Sequence, residues 1–263
     1  MGISKNQRRL VIIVWIIGII FAWELIAFLL DNVLHDRMAA MKFPYPQAIL
    51  ITLFQKWNVL LEAAITTFSR AAMGFAIGSS VGVILAVIMS LSKNIERTAF
   101  PYLIVSQMIP VLGLAPIIFN IVRDMNLSRI VIAAYITFFP VSVNILSGLK
   151  SVDQEKKDLL FSIATKRRDV YFKLMFPFSM SYLFIGLKIA APMAITASIL
   201  VDMLGSQSGI GVKILYSLYS GSAGMFWASV VVSALMGILS YYMVVFAEKI
   251  LLPWQNIAVS KVG

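Results

Sequence analysis

Six long apolar runs constrain the fold of this 263-residue chain more than any other feature of its sequence. About 20 apolar residues are enough to cross the hydrocarbon core of a membrane as a helix. The chain is 60% hydrophobic and has a mean hydropathy of +0.90, whereas soluble domains contain roughly 45–50% apolar residues. We therefore predict an all-α integral membrane protein with about six transmembrane helices in a single domain, 1–263. The predicted spans are 10–30, 66–91, 99–122, 128–149, 178–201 and 225–247.

Basic residues predict the orientation of these spans. Lys5, Arg8 and Arg9 precede the first span like the start of a signal peptide, but the apolar run that follows is too long for one, so we expect an uncleaved first helix. Lys and Arg are more frequent in the segments that lie inside when the N-terminus is inside, and cytoplasmic loops carry such an excess. Both termini are therefore predicted to be cytoplasmic, and so is the long segment 151–177.

The composition excludes several kinds of chemistry. The chain has no cysteine and one histidine, His35, which excludes disulfides, thiolate ligands and a multi-histidine site, so no metal site is predicted. The formal net charge is +10, but the basic residues lie between apolar spans, which indicates membrane topology and not a nucleic acid partner. The sequence has no phosphate loop of the form GxxxxGKS or GxxxxGKT, so nucleotide hydrolysis by that route is excluded.

The cytoplasmic segment 151–177 combines charge with an apolar pattern. Together with Lys150 it contains seven Lys or Arg residues. Its apolar residues recur at roughly helical spacing, which predicts a helix with an apolar stripe in each half of the segment. These residues are Leu159, Leu160, Ile163, Val170, Tyr171, Leu174 and Met175. A loop that only had to be solvated would not need such a stripe, so the pattern indicates a docking surface.

Two outer segments are also predicted to contain short helices. Segment 31–65 becomes amphipathic after two prolines, which predicts a helix at the outer interface with Trp57 as its anchor. The candidates for its apolar face are Leu50, Leu53, Phe54 and Trp57. Segment 201–224 is rich in Gly and Ser, and we expect its helix to break at glycines before a short amphipathic stretch. The glycines are Gly205 and Gly209 or Gly211, and the stretch contains Tyr216 and Tyr219.

Few charged residues lie inside the predicted spans or at their ends. They are Glu24, Arg70, Lys188 and Asp202. Intramembrane charges are costly and mark either pairs or transport pathways. For Glu24 we expect a structural pair or an interface position, and for Arg70 and Lys188 pairing or snorkelling. A single carboxylate in each region is little material for a proton relay.

Prolines and glycines mark the second and third spans. Pro110 and Pro116 each remove a helical hydrogen bond and predict kinks in the third span. Such a kink serves either packing or the lining of a path, and the sequence leaves both open. Gly74, Gly78 and Gly82 form an i, i+4, i+8 row in the second span, which predicts a close helix contact.

The residues from Asp158 to Pro177 resemble the cytoplasmic motif of the permease subunits of ATP-binding-cassette importers. In that motif an EAA triplet is followed three residues later by a glycine, and further on by an apolar residue and a proline. Aligned back from Phe176-Pro177, the triplet falls on Asp158-Leu159-Leu160 and the glycine on Ala164. The acid is thus kept as Asp, whereas both alanines are enlarged to Leu and the glycine is Ala.

Further matches occur in the same order along most of the chain, and they resemble the nitrate/sulfonate/taurine-type branch of these permeases. They are Trp23-Glu24-Leu25, Ser69-Arg70 with Gly74-Phe75, Ile109-Pro110 with Ala115-Pro116, Phe138-Phe139-Pro140-Val141, Gly186-Leu187-Lys188, Asp202-Met203-Leu204 with Gly209-Ile210-Gly211, and Leu252-Pro253-Trp254.

The resemblance implies two sets of functional residues. A cytoplasmic coupling helix between the fourth and fifth spans would dock on the ATPase, with Thr165 as its cap and Lys166, Arg167 and Arg168 in its first turn. The implied ATPase-coupling residues are Asp158, Leu159, Leu160, Ala164, Thr165, Arg167, Arg168, Asp169, Tyr171 and Pro177. The implied translocation path is lined by Met108, Pro110, Pro116 and Met203.

The same resemblance implies the partners. They are two ATP-binding-cassette ATPase subunits, a second permease copy that forms a homodimer, an external solute-binding protein and membrane lipid. ATP and Mg²⁺ would bind to the ATPase subunits and no cofactor to this chain, which would be a non-catalytic multi-pass subunit of a bacterial plasma membrane. The solute could be a small anion such as nitrate or a sulfonate, or a heteroaromatic vitamin precursor such as a pyrimidine or flavin.

Two other classes of protein compete with this interpretation. A stand-alone secondary transporter or channel would need an ion-coupling set near the midplane and preferably two related halves, and neither is visible in the sequence. A membrane-embedded enzyme would need a catalytic set, which one histidine and scattered carboxylates do not supply.

Overall fold

The computed structural model describes residues 5–162 and 166–253, and within these ranges the protein contains helices and no strands. Two π-helical turns, Leu29–Val33 and Tyr171–Met175, follow α1 and α9. The helices are α1 (Lys5–Phe28), α2 (Ala39–Lys42), α3 (Pro46–Gln55), α4 (Trp57–Leu91), α5 (Lys93–Met108), α6 (Val111–Val122), α7 (Met125–Lys150), α8 (Gln154–Ser162), α9 (Arg167–Val170), α10 (Phe176–Met203), α11 (Ile210–Tyr219) and α12 (Ala223–Leu251).

Five helical stretches of the described residues are each long and apolar enough to cross a membrane. They are Leu10–Val33, Trp57–Leu91, Met125–Lys150, Arg168–Met203 and Ala223–Leu251. A sixth crossing consists of α5 and α6 if these two helices, which meet at 97°, form one broken span. The predicted all-α membrane fold is confirmed.

The predicted third span, 99–122, is wrong as one continuous helix. α5 ends at Met108 and α6 starts at Val111, because Ile109 and Pro110 are extended, with ψ angles of 121° and 123°. Pro110 has no amide hydrogen to donate, and its ring disfavours the helical conformation of the residue before it. The kink expected at Pro110 is therefore a full break, whereas Pro116 lies inside α6.

The second spanning helix starts earlier than predicted. α4 begins at Trp57 and continues for 35 residues, about 52 Å at 1.5 Å per residue, whereas the sequence placed its start at residue 66. Trp57 therefore belongs to the spanning helix and not to the interfacial helix α3. Leu50 and Phe54 of α3 are exposed but Leu53 packs against the core, so the predicted common face is divided.

The centre of the bundle is the contact of α4 and α7, and α10 packs against both. A methyl group added at Gly74, Gly78 or Gly82 would collide with the side chains or backbone of α7. The hydroxyl of Ser142 on α7 donates to the carbonyl of Gly82 at 2.8 Å. The close helix contact predicted from the glycine row is confirmed.

α1 lies at the edge of the bundle and most of its apolar side chains are exposed. The C-terminal part of α1 is fastened by Trp23. Its indole nitrogen donates to the carbonyl of Pro44 at 2.8 Å, and its ring meets Trp227 of α12 edge-on, with 6.1 Å between ring centroids. Trp227 in turn donates to the carbonyl of Met41 at 2.9 Å. These aromatic contacts fasten the C-terminal part of α1 to α12 and to the segment before α3.

Candidate coupling segment and translocation path

The segment 151–177 leaves the bundle after α7 and returns to it through α10. Val152 is buried at its start. The Nζ atom of Lys156 lies 2.7 Å from the Oδ2 atom of Asp153 in the turn before α8, and this hydrogen bond lowers the pKa of Asp153 below its usual range. The basic excess of the sequence predicts that this end of the bundle is cytoplasmic, and on that basis we call it the inner end and the opposite one the outer end.

α8 presents apolar side chains to solvent at the inner end. Leu159 is 67% exposed and Phe161 43% exposed, while Leu160 is half-buried. Asp158 is exposed, and its carboxylate accepts a hydrogen bond from the side-chain amide of Gln154 at 2.8 Å. The aligned triplet therefore lies on a short helix that leaves Leu159 and Phe161 exposed among the described residues.

The second half of the segment starts one residue later than expected. α9 begins at Arg167, and the carbonyl of Lys166 accepts from the amides of Asp169 at 2.9 Å and Val170 at 3.2 Å. The expectation that Lys166 lies in the first turn is wrong, because Lys166 precedes it. Ala164 and the expected cap, Thr165, lie outside the described residues.

Charge and apolar surface alternate along α9 and the turn after it. The guanidinium of Arg168 lies 5.8 Å from the centroid of the Phe172 ring, and Phe172 is 58% exposed. Asp169 pairs with Lys173 at 3.2 Å on the same face. Together with Leu159 and Phe161 of α8, these exposed groups form the surface at which the sequence predicts docking, and we call it the docking surface.

The inner part of this segment is fastened to the bundle. Val170 is buried, and the hydroxyl groups of Tyr171 and of Ser90, at the end of α4, lie 3.0 Å apart. Pro177 is in the first turn of α10, which follows the π-helical turn Tyr171–Met175 without a gap, so its missing amide hydrogen does not end the helix. Arg168–Met203 thus forms one helical stretch, so the predicted boundary between coupling segment and fifth span at 178 does not interrupt it.

A polar cluster at the outer end joins four parts of the chain. Asp202 of α10 and Arg129 of α7 are 1% and 2% exposed, with the Nε atom of Arg129 at 3.2 Å from the Oδ1 atom of Asp202. Thr67 of α4 donates to the Oδ2 atom of Asp202 at 2.5 Å and accepts from the amide of Ile210 at 2.9 Å. Arg129 also donates to the carbonyl of Ser208 at 3.1 Å. We call Thr67, Arg129, Asp202, Ser208 and Ile210 the outer cluster.

Glycines allow the outer loop to pack closely against the outer cluster. Gly205 and Gly209 have φ angles of 137° and 120°, which favour glycine strongly, and a methyl group at Gly209 would collide with the carboxylate of Asp202. The predicted breaks at these two glycines are confirmed, and the expected short helix is α11. Gly211 instead lies inside α11.

Thr67 and Arg129 of the outer cluster were not predicted from the sequence. Arg129 lies at the start of the predicted fourth span and Thr67 near the start of the predicted second span. A search for a partner of the intramembrane carboxylate Asp202 among cations at the same depth would have found Arg129.

The other intramembrane charges have different partners. Lys188 on α10 holds Glu248 on α12, with its Nζ atom 2.8 and 3.0 Å from the two carboxylate oxygens, so its predicted pairing is confirmed. Arg70 donates to the carbonyl of Thr66 in its own helix at 2.8 Å. Glu24 has one buried carboxylate oxygen without a hydrogen bond in the described part of the chain.

The four residues expected along the path lie on three helices and the break between two of them. Met108 and Pro110 lie together at the break between α5 and α6, where Met108 is 73% exposed. Pro116 is exposed on α6, and Met203 is half-buried at the end of α10 beside the outer cluster. Ala115 and Val201 pack in one cluster and bring α6 to α10. The described residues contain no group of His, Cys, Asp and Glu suited to hold a metal ion.

The long apolar helices and the broken pair α5–α6 define a multi-pass membrane protein. The family described as "Binding-protein-dependent transport system inner membrane component" matches residues 78–253, and the chain belongs to this family. The predicted family is therefore confirmed: the chain is a permease subunit of an ATP-binding-cassette importer. Such permeases are non-catalytic membrane subunits.

Relatives with known names agree with this assignment. The chain is 30% identical over 192 residues to the formylaminopyrimidine transport permease protein ThiX of Halalkalibacterium halodurans. The matched region covers 72% of this chain and 76% of ThiX. It is 25% identical over 187 residues to the putative aliphatic sulfonates transport permease protein SsuC of Bacillus subtilis, and this match covers 71% of this chain and 68% of SsuC.

A solved structure shares the fold. It is the crystal structure of an amino acid ABC transporter with histidines, with a TM-score of 0.62 and 15% identity over 76% of this chain and 97% of that chain. At this identity the likeness describes the architecture alone.

Proposed function

We propose that two copies of this chain form the solute path of an ATP-driven importer in a bacterial plasma membrane. Two ATPase subunits, which bind ATP and Mg²⁺, would dock on the segments 151–177, and an external solute-binding protein would deliver the solute to the outer end. The observation that carries this proposal is the helical stretch Arg168–Met203, which connects the exposed docking surface to the outer cluster.

This stretch has the geometry of a lever. Its 36 residues extend for about 54 Å. Tyr171 fastens its inner part to α4, and Asp202 fastens its outer end to α7 and α4. A displacement of the docking surface on ATP binding would therefore reach the outer loop through a single element, and the bundle would pass from an inward-open to an outward-open state.

The docking surface has the chemistry of an interface without its partner. Leu159, Phe161 and Phe172 are exposed at the end where the basic residues cluster. Cations in the first turn of a helix oppose its dipole, at about 0.3–1 kcal/mol each when exposed. An acidic and apolar groove on an ATPase would offset both unfavourable features.

For the solute we propose a neutral or heteroaromatic compound. Met108, Ile109 and Leu112 are exposed at the break of the third span and carry no charge. The buried cation Arg129 is paired with Asp202, so it offers no free charge to an anion. ThiX, whose name states formylaminopyrimidine transport, supports the same class.

The experiment is ATP-driven uptake into vesicles that contain the permease, its ATPase and its binding protein. In vesicles with the permease variant Arg167→Glu/Arg168→Glu/Asp169→Lys, the ATPase subunits should hydrolyse ATP without solute uptake, because the docking surface no longer fits its partner. Lys93→Glu/Arg97→Glu changes charge on the same side but outside the segment, and it should keep uptake. Coupled uptake by the first variant would contradict the role of segment 151–177.

The solute class is tested with three probes in the same vesicles. Formylaminopyrimidine should be taken up, whereas nitrate and an aliphatic sulfonate should not compete with it. Competition by either anion at similar concentration would show that the solute class is wrong while the importer function stands.

A further inference from the structure

The break between α5 and α6 is held by a side chain of another helix. In a continuous helix the carbonyl of Ser106 would accept from the amide of residue 110. Residue 110 is a proline, so that this amide hydrogen does not exist. Instead, the hydroxyl of Tyr135 on α7 donates a hydrogen bond to the carbonyl of Ser106.

A second contact fixes the same place from the opposite direction. The side-chain amide of Gln107 donates to the backbone carbonyl of Tyr135 at 3.5 Å. Two neighbouring residues of α5 are thus bonded to one residue of α7, immediately before the break. The ring of Tyr135 is half-buried and packs against Phe138 at 5.8 Å between centroids.

Membrane depth makes such a donor necessary. A carbonyl without a partner is costly in hydrocarbon, and broken helices in membranes are tolerated where other groups satisfy the freed backbone. Proline by itself does not produce the break, because Pro101, Pro116, Pro140 and Pro192 all lie inside helices. What distinguishes Pro110 is the pair of contacts with Tyr135.

We infer that Tyr135 is a positioning residue for transport: its hydroxyl takes the place of the amide that Pro110 lacks, and so fixes the bend that presents Met108 and Pro110 to the solute path. This inference rests on the proposed function for its transport part. Met108 and Ile109 are exposed at the bend, where a second permease copy would cover them to complete a path.

The test uses two variants that separate the effect of the bend on transport from its effect on stability. Tyr135→Phe removes the hydroxyl, and Tyr135→Phe/Pro110→Ala restores a backbone amide that only a continuous helix can use. Tyr182→Phe is the control, since the hydroxyl of Tyr182 has no hydrogen bond among the described residues and its ring is also half-buried.

The bend itself is measured by the distance between spin labels at Tyr102→Cys on α5 and Ile121→Cys on α6. Both positions are exposed, and the chain has no other cysteine. From the rise of a helix, their backbones are roughly 18 Å apart with the observed bend and roughly 28 Å apart in a continuous helix.

We expect Tyr135→Phe to broaden this distance distribution and to lower solute taken up per ATP by roughly tenfold, as for the loss of a hydrogen bond to a buried carbonyl. Tyr135→Phe/Pro110→Ala should recover thermal stability and show the long distance, while uptake stays low. Tyr182→Phe should match the unmodified chain in both measurements.

Three outcomes would overturn the inference or separate it from the proposed function. An unchanged distance and unchanged uptake in Tyr135→Phe would refute the role of the hydroxyl. Recovered uptake in the double variant with the long distance would show that transport does not need the bend. If the unmodified chain shows no ATP-driven uptake, the proposed function fails, and the spin-label distances still decide whether Tyr135 sets the bend.

Discussion

The outer and inner ends of the bundle differ in which groups they bury: the outer end buries charged side chains, whereas the inner end exposes apolar ones. At the outer end Arg129 and Asp202 are buried, pair with each other, and are hydrogen-bonded to Thr67 of α4 and to Ser208 of the outer loop. At the inner end Leu159 and Phe172 are exposed, and the ion pairs Lys156–Asp153 and Lys173–Asp169 lie on the surface. The outer charges are thus paired within one chain, although Nε and Nη1 of Arg129 and Oδ1 of Asp202 make no hydrogen bond among the described residues, whereas the inner end leaves large apolar groups exposed.

The first prediction concerns the outer cluster and is the largest in stability. Asp202→Ala leaves Arg129 buried without its counter-ion, and breaking a buried pair in this way costs about 3–5 kcal/mol. We expect the thermal unfolding temperature of the purified permease to fall by roughly 10 °C. Asp36→Ala is the control, because Asp36 pairs with Lys42 on the surface of the same outer side, and its loss should shift the unfolding temperature far less.

A double variant sharpens this prediction. Arg129→Met/Asp202→Leu removes both charges, and replacing a buried pair with apolar groups is often neutral. It should be more stable than Asp202→Ala alone. Equal stability of Asp202→Ala and Asp36→Ala would show that the outer end does not depend on the cluster.

The sequence predicted the inner end better than the outer one, for a physical reason. Segment 151–177 is local: its charge, its helical spacing and its likeness to a known motif are all visible within 27 residues. The outer cluster joins Thr67 to Asp202 and to Ile210 across 135 and 143 residues. No periodicity in the sequence indicates such a distant contact, so the pairing of Arg129 with Asp202 was not predicted.

The prolines show the same limit of prediction. Pro110 and Pro116 give equal signals in the sequence, and both were expected to kink the third span. Only Pro110 ends a helix, because Tyr135 satisfies the carbonyl of Ser106 there. Whether a proline kinks or breaks a helix is therefore decided by a neighbour from another part of the chain. The glycine row of α4 was easier to interpret, since a missing side chain permits close contact with whichever helix lies opposite.

The second prediction concerns the docking surface, where binding and not stability should change. Leu159→Asn should alter the stability of the permease itself by less than about 0.5 kcal/mol, as is usual for surface positions. Burying a leucine contributes about 1.5–3 kcal/mol, so the affinity for the ATPase subunit should fall by roughly 10- to 100-fold. The measurement is a titration of the ATPase subunit onto the permease in lipid discs.

The matched control for this variant is Leu50→Asn. Leu50 is 55% exposed on α3 at the outer end, away from the docking surface, so the substitution should leave the ATPase affinity unchanged. Equal affinities of Leu159→Asn and the unmodified permease would show that the exposed leucine is not part of the interface.

The third and smallest prediction concerns a pair that is intermediate between the two ends. Lys188 and Glu248 are 23% and 20% exposed and join α10 to α12. Water and neighbouring side chains screen them more than Arg129 and Asp202, so Lys188→Met should destabilise the permease by about 1–2 kcal/mol. The unfolding temperature should fall by roughly 2–8 °C, less than for Asp202→Ala. Because the loss comes from leaving Glu248 without its cation, Lys188→Met/Glu248→Met should recover most of it. If the double variant is less stable than Lys188→Met, the two residues stabilise the helices independently, and the bond between them is not what holds α12 to the lever.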